Sequence, residues 1–199
     1  MNNTYHVPVL LKESINGLNI LPNGVYVDAT FGGGGHTKEI LSHLNSSGKV
    51  IAFDQDADAI ENQIDDNRLK LIKSNFKYLT NHLKYLQINK IDGLLADFGI
   101  SSYQIDTQKR GFSIRFDSDL DMRMNKDQKK DAKHILNKYS SDDLNYIFKN
   151  FGELKNYKKV TQIIISQRSK QKIVTTGDLI RILKPISPQN NNNKFLAKI

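Results

Sequence analysis

The stretch Val25-Tyr-Val-Asp28-Ala-Thr-Phe31, followed by Gly32-Gly33-Gly34-Gly35-His36, constrains this chain more than any other. An apolar run ends in an acid, four glycines follow, and a helix-like segment begins. The order reads as a strand, a tight loop and a helix N-terminus. Glycine turns sharply at little steric cost and leaves backbone amides open, so a flat ligand can lie directly on such a loop. A merely flexible turn is the alternative.

What the loop lacks narrows the ligand. The dinucleotide fingerprint G-x-G-x-x-G would have to close on Thr37 or Lys38, and neither is glycine. No Gly-Lys-Ser/Thr phosphate loop occurs. Asp28 at the strand tip repels a pyrophosphate and welcomes positive charge. S-adenosylmethionine, with its ammonium and sulfonium, fits that pairing. A second apolar run, Lys49-Val-Ile-Ala-Phe-Asp54, also ends in an acid, about twenty residues beyond the glycines, where α/β sheets place the ribose ligand. Asp54 is expected to accept the two ribose hydroxyls. The alternative is that Asp54 or Asp56 caps the next helix, 57–64, a role that Asp56 fits better.

The length of 199 residues suits one domain, or one domain with an elaboration. The absence of cysteine excludes disulfides and thiolate metal sites, and no metal site is expected. Met1–His6 has neither a basic nor an apolar leader region, and no apolar run reaches membrane length. A cytoplasmic protein without a membrane partner is expected. Residues 1–122 hold 12 Lys/Arg against 15 Asp/Glu, whereas residues 123–199 hold 17 against 6. The basic half suits phosphate backbones. A Lys-, Asn- and Ile-rich composition, with 6 arginines among 29 basic residues, explains much of the same charge without a partner.

In chain order, Val9, Leu10, Ile15 and Leu18 fall near helical spacing after Pro8. Helices are expected over 37–44, 57–64 and from Phe76 to Leu86, with strands over 25–28, 49–54, 68–74 and 91–97. The pattern β-α-β-α-β-α-β predicts parallel pairing, with ligands beyond the carboxyl ends where Asp28, Asp54 and Asp97 gather. The stretch from Asp97 to Met124 is glycine-, serine- and arginine-bearing, too irregular for a helix and too ordered for a linker, as functional loops are. Helices return over 132–139, 142–151, 154–167 and 177–183, with Asp142 and Thr175 or Thr176 as candidate N-caps.

The segments His6-Val-Pro-Val-Leu10, Asp28–His36, Asp97-Phe-Gly-Ile-Ser-Ser-Tyr-Gln104, Arg110-Gly-Phe-Ser113 and Leu120-Asp-Met-Arg-Met124 together resemble the bacterial small-subunit ribosomal RNA (cytosine-N4) methyltransferase family, RsmH/MraW. The resemblance runs in order from His6 to about Leu183. It implies an α/β, Rossmann-like S-adenosylmethionine-dependent methyltransferase sheet with an inserted helical domain. The expected division is 1–105 for the cofactor domain, 106–190 for the inserted basic helical domain, and 191–199 for the start of a return to the first. The implied reaction is methyl transfer to N4 of a cytidine in the decoding region of 16S ribosomal RNA, with free RNA or the small subunit as partner and the protein a monomer or homodimer.

The same resemblance implies that Gly34, Gly35 and His36 contact the cofactor, that Asp54 holds its ribose, that Phe76 lies against adenine, and that Asp97 and Gln104 complete the site. By itself Phe76 reads as the head of an apolar helical stripe. An exocyclic amine is a weak nucleophile, so alignment and a proton acceptor are what catalysis requires. Asp97 is the first candidate acceptor, with Ser101 or Ser102 in support, unless Asp97 serves only the cofactor. Arg110, Arg115 and Arg123 are candidates to clamp RNA phosphates or stack on bases; internal pairing with Asp117, Asp119 or Asp121 is the alternative. His6 is a candidate on the substrate side or a structural residue.

Phe98 and Tyr103 stand where the family usually has leucine and proline. Family members also continue past Lys194–Ile199 into another helix and further strands. Without them the fourth strand is expected to expose an unpaired edge: the chain is then a fragment of a longer protein, or its missing half is supplied otherwise, or, if 199 residues is the whole product, it is a weakly active relative of low stability or a non-catalytic RNA-binding one.

Overall fold

A computed structural model describes residues 8–188 and 192–199. The chain forms two compact units: residues up to Gly99 with Met124–Lys126, and Ile100–Arg123 with Asp127–Ile199.

In the first unit, β1 (Val25–Asp28), β2 (Lys49–Asp54), β3 (Leu69–Lys73) and β4 (Gly93–Leu95) pair in parallel in the order β3-β2-β1-β4. Helices α1 (Leu11–Leu18), α2 (Gly35–His43), α3 (Ala57–Ile60) and α4 (Leu79–Tyr85) connect or flank them. Tyr26 lies opposite Val50 and Val27 opposite Ile51. The pleat sends these pairs to opposite faces. Tyr26 and Val50 pack with Ile15 of α1 and with Ile40 and Leu41 of α2. Val27, Ile51 and Phe53 pack with Leu83 of α4. A parallel sheet covered on both faces needs continuous apolar strands, which is why β2 reads as an unbroken run.

Among the elements shorter than their sequence patterns are α1, α3 and β4. The apolar seam of α1 is Leu11, Ile15 and Leu18, because Leu10 adopts a left-handed φ of 53° and stays exposed with Val9. Asp56 caps α3 as expected, accepting from the Asp58 amide, but the helix ends at Ile60 and the Asn62 side chain turns to the Gly32 carbonyl instead. Strand β4 spans three residues of the expected seven, and Leu94 on it is 47% exposed. No strand flanks β4 on its outer side among the described residues.

The second unit contains α5 (Ser102–Asp106), α6 (Ala132–Lys138), α7 (Ser141–Asn150), α8 (Tyr157–Arg168), α9 (Thr176–Leu183) and α10 (Asn192–Leu196). Leu136, Leu144, Phe148, Val160, Ile164 and Leu183 build its core. Ser140, rather than Asp142, caps α7, and Asp143 returns the bond in a capping box. Thr175 caps α9 in the same way with Asp178. The irregular loop before α6 is latched down: Leu120 is buried in the core, its amide donates to the Val174 carbonyl, and the Gly177 amide donates to Asp117 Oδ1. The boundary between units lies at Gly99/Ile100 rather than near residue 105. Phe195 and Leu196, expected to lead back to the first domain, complete the helical core because that core offers them an apolar surface.

Ile164→Ala, at a fully buried core position, should cost about 2–5 kcal/mol of unfolding free energy. Leu94→Ala, at the half-exposed edge, should cost under about 1 kcal/mol. Urea titrations followed by circular dichroism check both.

Candidate functional site at the strand ends

Asp28 ends β1 wholly buried. Its Oδ2 accepts from the Thr37 hydroxyl at 2.7 Å and its Oδ1 from the Thr30 amide at 3.0 Å. Burial pushes this carboxyl above its ordinary value against the opposing pull of the Thr37 hydrogen bond. Asp28 therefore anchors α2 to the sheet from beneath the loop.

Asp54 ends β2 half-buried. Its Oδ2 accepts from the Gly32 amide at 2.8 Å and its Oδ1 from the Asp56 amide at 2.9 Å. Burial raises this carboxyl as well. A carboxylate offers about four acceptor positions, so Asp54 retains capacity for a further donor beyond its backbone amides.

The glycines divide their labour. Gly34 has a φ of 75°, and a Cβ there would meet Phe31 Cζ at 2.8 Å. A Cβ on Gly35 would meet Pro8 Cγ at 2.4 Å. These two are glycines because the fold leaves no room, while Gly33 is the exposed member of the loop. His36, in the first turn of α2, is buried, and its Nε2 has no hydrogen-bond partner among the described residues. A buried, unsatisfied ring nitrogen beside a glycine loop fits a polar ligand seated there.

Phe76 lies in a 3₁₀ turn, Phe76–Tyr78, capped by Asn75. It is 40% exposed and belongs to neither core cluster of its unit, so the core-packing alternative does not hold. Its ring pairs with Phe98, 72% exposed, at a centroid distance of 5.4 Å. Phe76 follows β3 and Phe98 follows β4, the two outer strands of the sheet. The pair therefore spans the carboxyl edge where the acids end. Asn75 donates to Gln55 Oε1 at 2.9 Å, tying the Phe76 turn to the neighbour of Asp54. Asp97 is exposed; its amide donates to Thr30 Oγ1 at 2.8 Å, and its carboxylate has no partner among the described residues.

Thr30, Thr37 and Phe98 were not singled out by sequence. A threonine hydroxyl that answers a buried acid nine residues away leaves no pattern in a single chain. Phe98 was visible only as a departure from a family motif.

In the second unit the expected site residues are largely engaged in structure. Ser101 caps α5: its Oγ accepts from the Gln104 amide at 3.2 Å, and its own amide donates to Gln104 Oε1 at 3.0 Å. Ser102 is half-buried in the first turn. Arg110 is buried and donates to the Arg123 carbonyl at 2.8 Å. Arg123 grips Asp121 through two bonds of 2.7 Å and donates to the Gln128 carbonyl. That guanidinium holds the Asp121 carboxyl below its ordinary value. Arg115 pairs with Asp106, both exposed. The alternative of internal pairing thus describes Arg123, bound to Asp121, while the buried Arg110 braces the same loop through a backbone carbonyl. His6 lies outside the described residues.

A parallel sheet with a glycine loop after its first strand and an acid after its second is the α/β fold of Rossmann-like methyltransferases. Residues 3–198 match the model of the MraW methylase family, and the chain belongs to that family. It is 50% identical over 195 residues to "Ribosomal RNA small subunit methyltransferase H" of Christiangramia forsetii, an alignment covering 98% of this chain and 65% of that protein. Proteins of the same name from Bacteroides fragilis and Flavobacterium psychrophilum are 50% and 51% identical, over 98% and 96% of this chain and 64% and 65% of theirs. The chain spans just under two thirds of the length of these curated relatives. No helix among the described residues is long and apolar enough to cross a membrane.

Because burial raises the Asp28 pKa, the folded state holds its proton to a higher pH than the unfolded chain does. Stability is therefore lost as pH rises from the ordinary value near 3.8 through the folded one. Asp28→Asn, which can still accept from Thr30 and can donate to Thr37, should remove that fall. Unfolding free energies of both proteins from acid to neutral pH check it; parallel profiles would contradict the assignment.

Proposed function

We propose that this chain binds S-adenosylmethionine at the carboxyl ends of β1, β2 and β3 and serves methylation of small-subunit ribosomal RNA at N4 of a decoding-region cytidine. The carrying observation is the half-buried Asp54, tied at once to the Gly32 amide and, through Gln55 and Asn75, to the turn that bears the exposed Phe76 ring. An acid for ribose hydroxyls and a ring for a purine are what an adenosine requires. The unsatisfied His36 Nε2 adds a polar contact under the loop. The substrate class comes from the names of the relatives.

Bound there, the cofactor supplies an electrophilic methyl group. The chain's part is to fix the cofactor so that nitrogen, methyl and sulfur align, and then to take a proton from the methylated amine. Asp97, exposed at the end of β4 with an unengaged carboxylate, is the proton acceptor in this reading. The buried Arg110 and the Asp121-bound Arg123 shape the loop after α5. Arg115 differs, because an exposed ion pair contributes about 0–1 kcal/mol and exchanges its carboxylate for an RNA phosphate at little cost. The excess of basic residues after residue 122 supports RNA as partner through counterion release.

Calorimetric titration with S-adenosylmethionine should show binding, weakened about tenfold or more by Phe76→Ala, as loss of base stacking predicts. Asp54→Ala should weaken it comparably. Incubation with small subunits and methyl-labelled cofactor should place the label on a cytidine N4 by mass spectrometry of nucleosides. A folded chain that binds no cofactor would refute the reading.

A further inference from the structure

The helical unit carries a second group of exposed aromatic rings that the cofactor site does not use. Tyr146 on α7 is 61% exposed and Phe151, just past the helix, is 73% exposed, with centroids 5.8 Å apart edge to face. Their backbone is firmly held. The Phe151 amide donates to the Ile147 carbonyl, and Gly152 is so tightly packed that a Cβ would lie 2.4 Å from the Lys198 carbonyl oxygen. These rings are therefore rigidly presented rather than loosely hung.

Lysines predominate on the C-terminal side of these rings, while Asp142 and Asp143 lie one turn before Tyr146, Asp143 bonded to Ser140. Lys149 follows Tyr146 by three positions, on the same helical face, with its Nζ 5.9 Å from the Tyr157 ring. Lys155, Lys158 and Lys159 are exposed on the turn after α7 and the first turn of α8, close to Phe151 in sequence. The one acid between Tyr146 and Lys159, Glu153, pairs with Lys198 at 3.8 Å. An apolar protein partner would leave four lysines to be desolvated, whereas a polyanion with planar bases satisfies both features.

We propose that Tyr146 and Phe151, with Lys149, Lys158 and Lys159, form a stacking platform for unpaired bases of single-stranded RNA. Aromatic faces accept any base, and lysines follow the phosphates, so the platform binds strand rather than sequence. It deepens the RNA half of the proposed function and is independent of the cofactor half.

The test uses the full chain and a fluorescent, roughly 12-nucleotide single-stranded RNA, read by anisotropy across salt concentrations. Tyr146→Ala/Phe151→Ala should weaken binding about tenfold or more with an unchanged salt slope, and Phe151→Tyr should retain it. Lys158→Gln/Lys159→Gln should instead lower the slope of log affinity against log salt by about 1.4, at roughly 0.7 per phosphate. Circular dichroism and S-adenosylmethionine titration of each variant should match the parent, because these residues lie outside the cofactor's binding elements. RNA affinity unchanged in the aromatic variant overturns the platform while leaving RNA binding elsewhere intact. Loss of self-association in that variant with RNA affinity unchanged overturns it in favour of a second copy of the chain. A parent chain that binds cofactor but no RNA overturns both the platform and the RNA half of the functional reading.

Discussion

The buried carboxylate of Asp28 is the constraint on which the first unit depends. It accepts from Thr37 at the start of α2 and from the amide of Thr30, and Thr30 in turn receives the amide of Asp97. One acid thus fixes the helix after the glycine loop and, through one threonine, the exit of β4. An unpaired charge in that position would be prohibitive; its two hydrogen bonds make it tolerable, and its raised pKa records what burial still costs. Asp54 repeats the device one strand over, on the amide of Gly32, but remains half-buried, so that part of its carboxylate stays accessible where that of Asp28 does not.

A comparable arrangement organises the second unit, with the sign reversed. A buried guanidinium, Arg110, sits where the loop between α5 and α6 must be held, and the Arg123–Asp121 pair closes over the same segment. Leu120 secures it from below. This loop has little regular hydrogen bonding of its own, so charged side chains and one leucine supply what a helix or ladder would otherwise provide.

Much of this was legible in the sequence, and the reasons are local. Apolar runs ending in Asp28 and Asp54 announced β1 and β2 because strands buried on both faces admit no polar interruption. Helices α6 to α9 followed from periodic leucines, isoleucines and phenylalanines. What escaped depended on partners far along the chain. Asp28 read as a ligand for a cation, and its bond from Thr37, nine residues on, left no trace in the sequence. Arg110 looked like a phosphate clamp, because nothing in its neighbourhood reveals that it is buried. Phe76 headed an apolar stripe yet is exposed, since Leu79, Leu83 and Leu86, with Ile72, Ile88 and Ile91, pack on that face of the sheet without it. Ser101 and Gln104, three apart, could have been read as a capping box.

The strand order carries a consequence for how the sheet assembles. Strands β1, β2 and β3 pair with their sequence neighbours, whereas β4 must return to β1 across the whole length of that three-stranded sheet, as Asp28 meeting Leu95 illustrates. Contacts of such sequence separation form late, after the entropy of a long loop has been surrendered. The flank that β4 gives to β1 is therefore the pairing in this sheet with the largest loop-closure cost, and the one most sensitive to how the intervening chain is ordered.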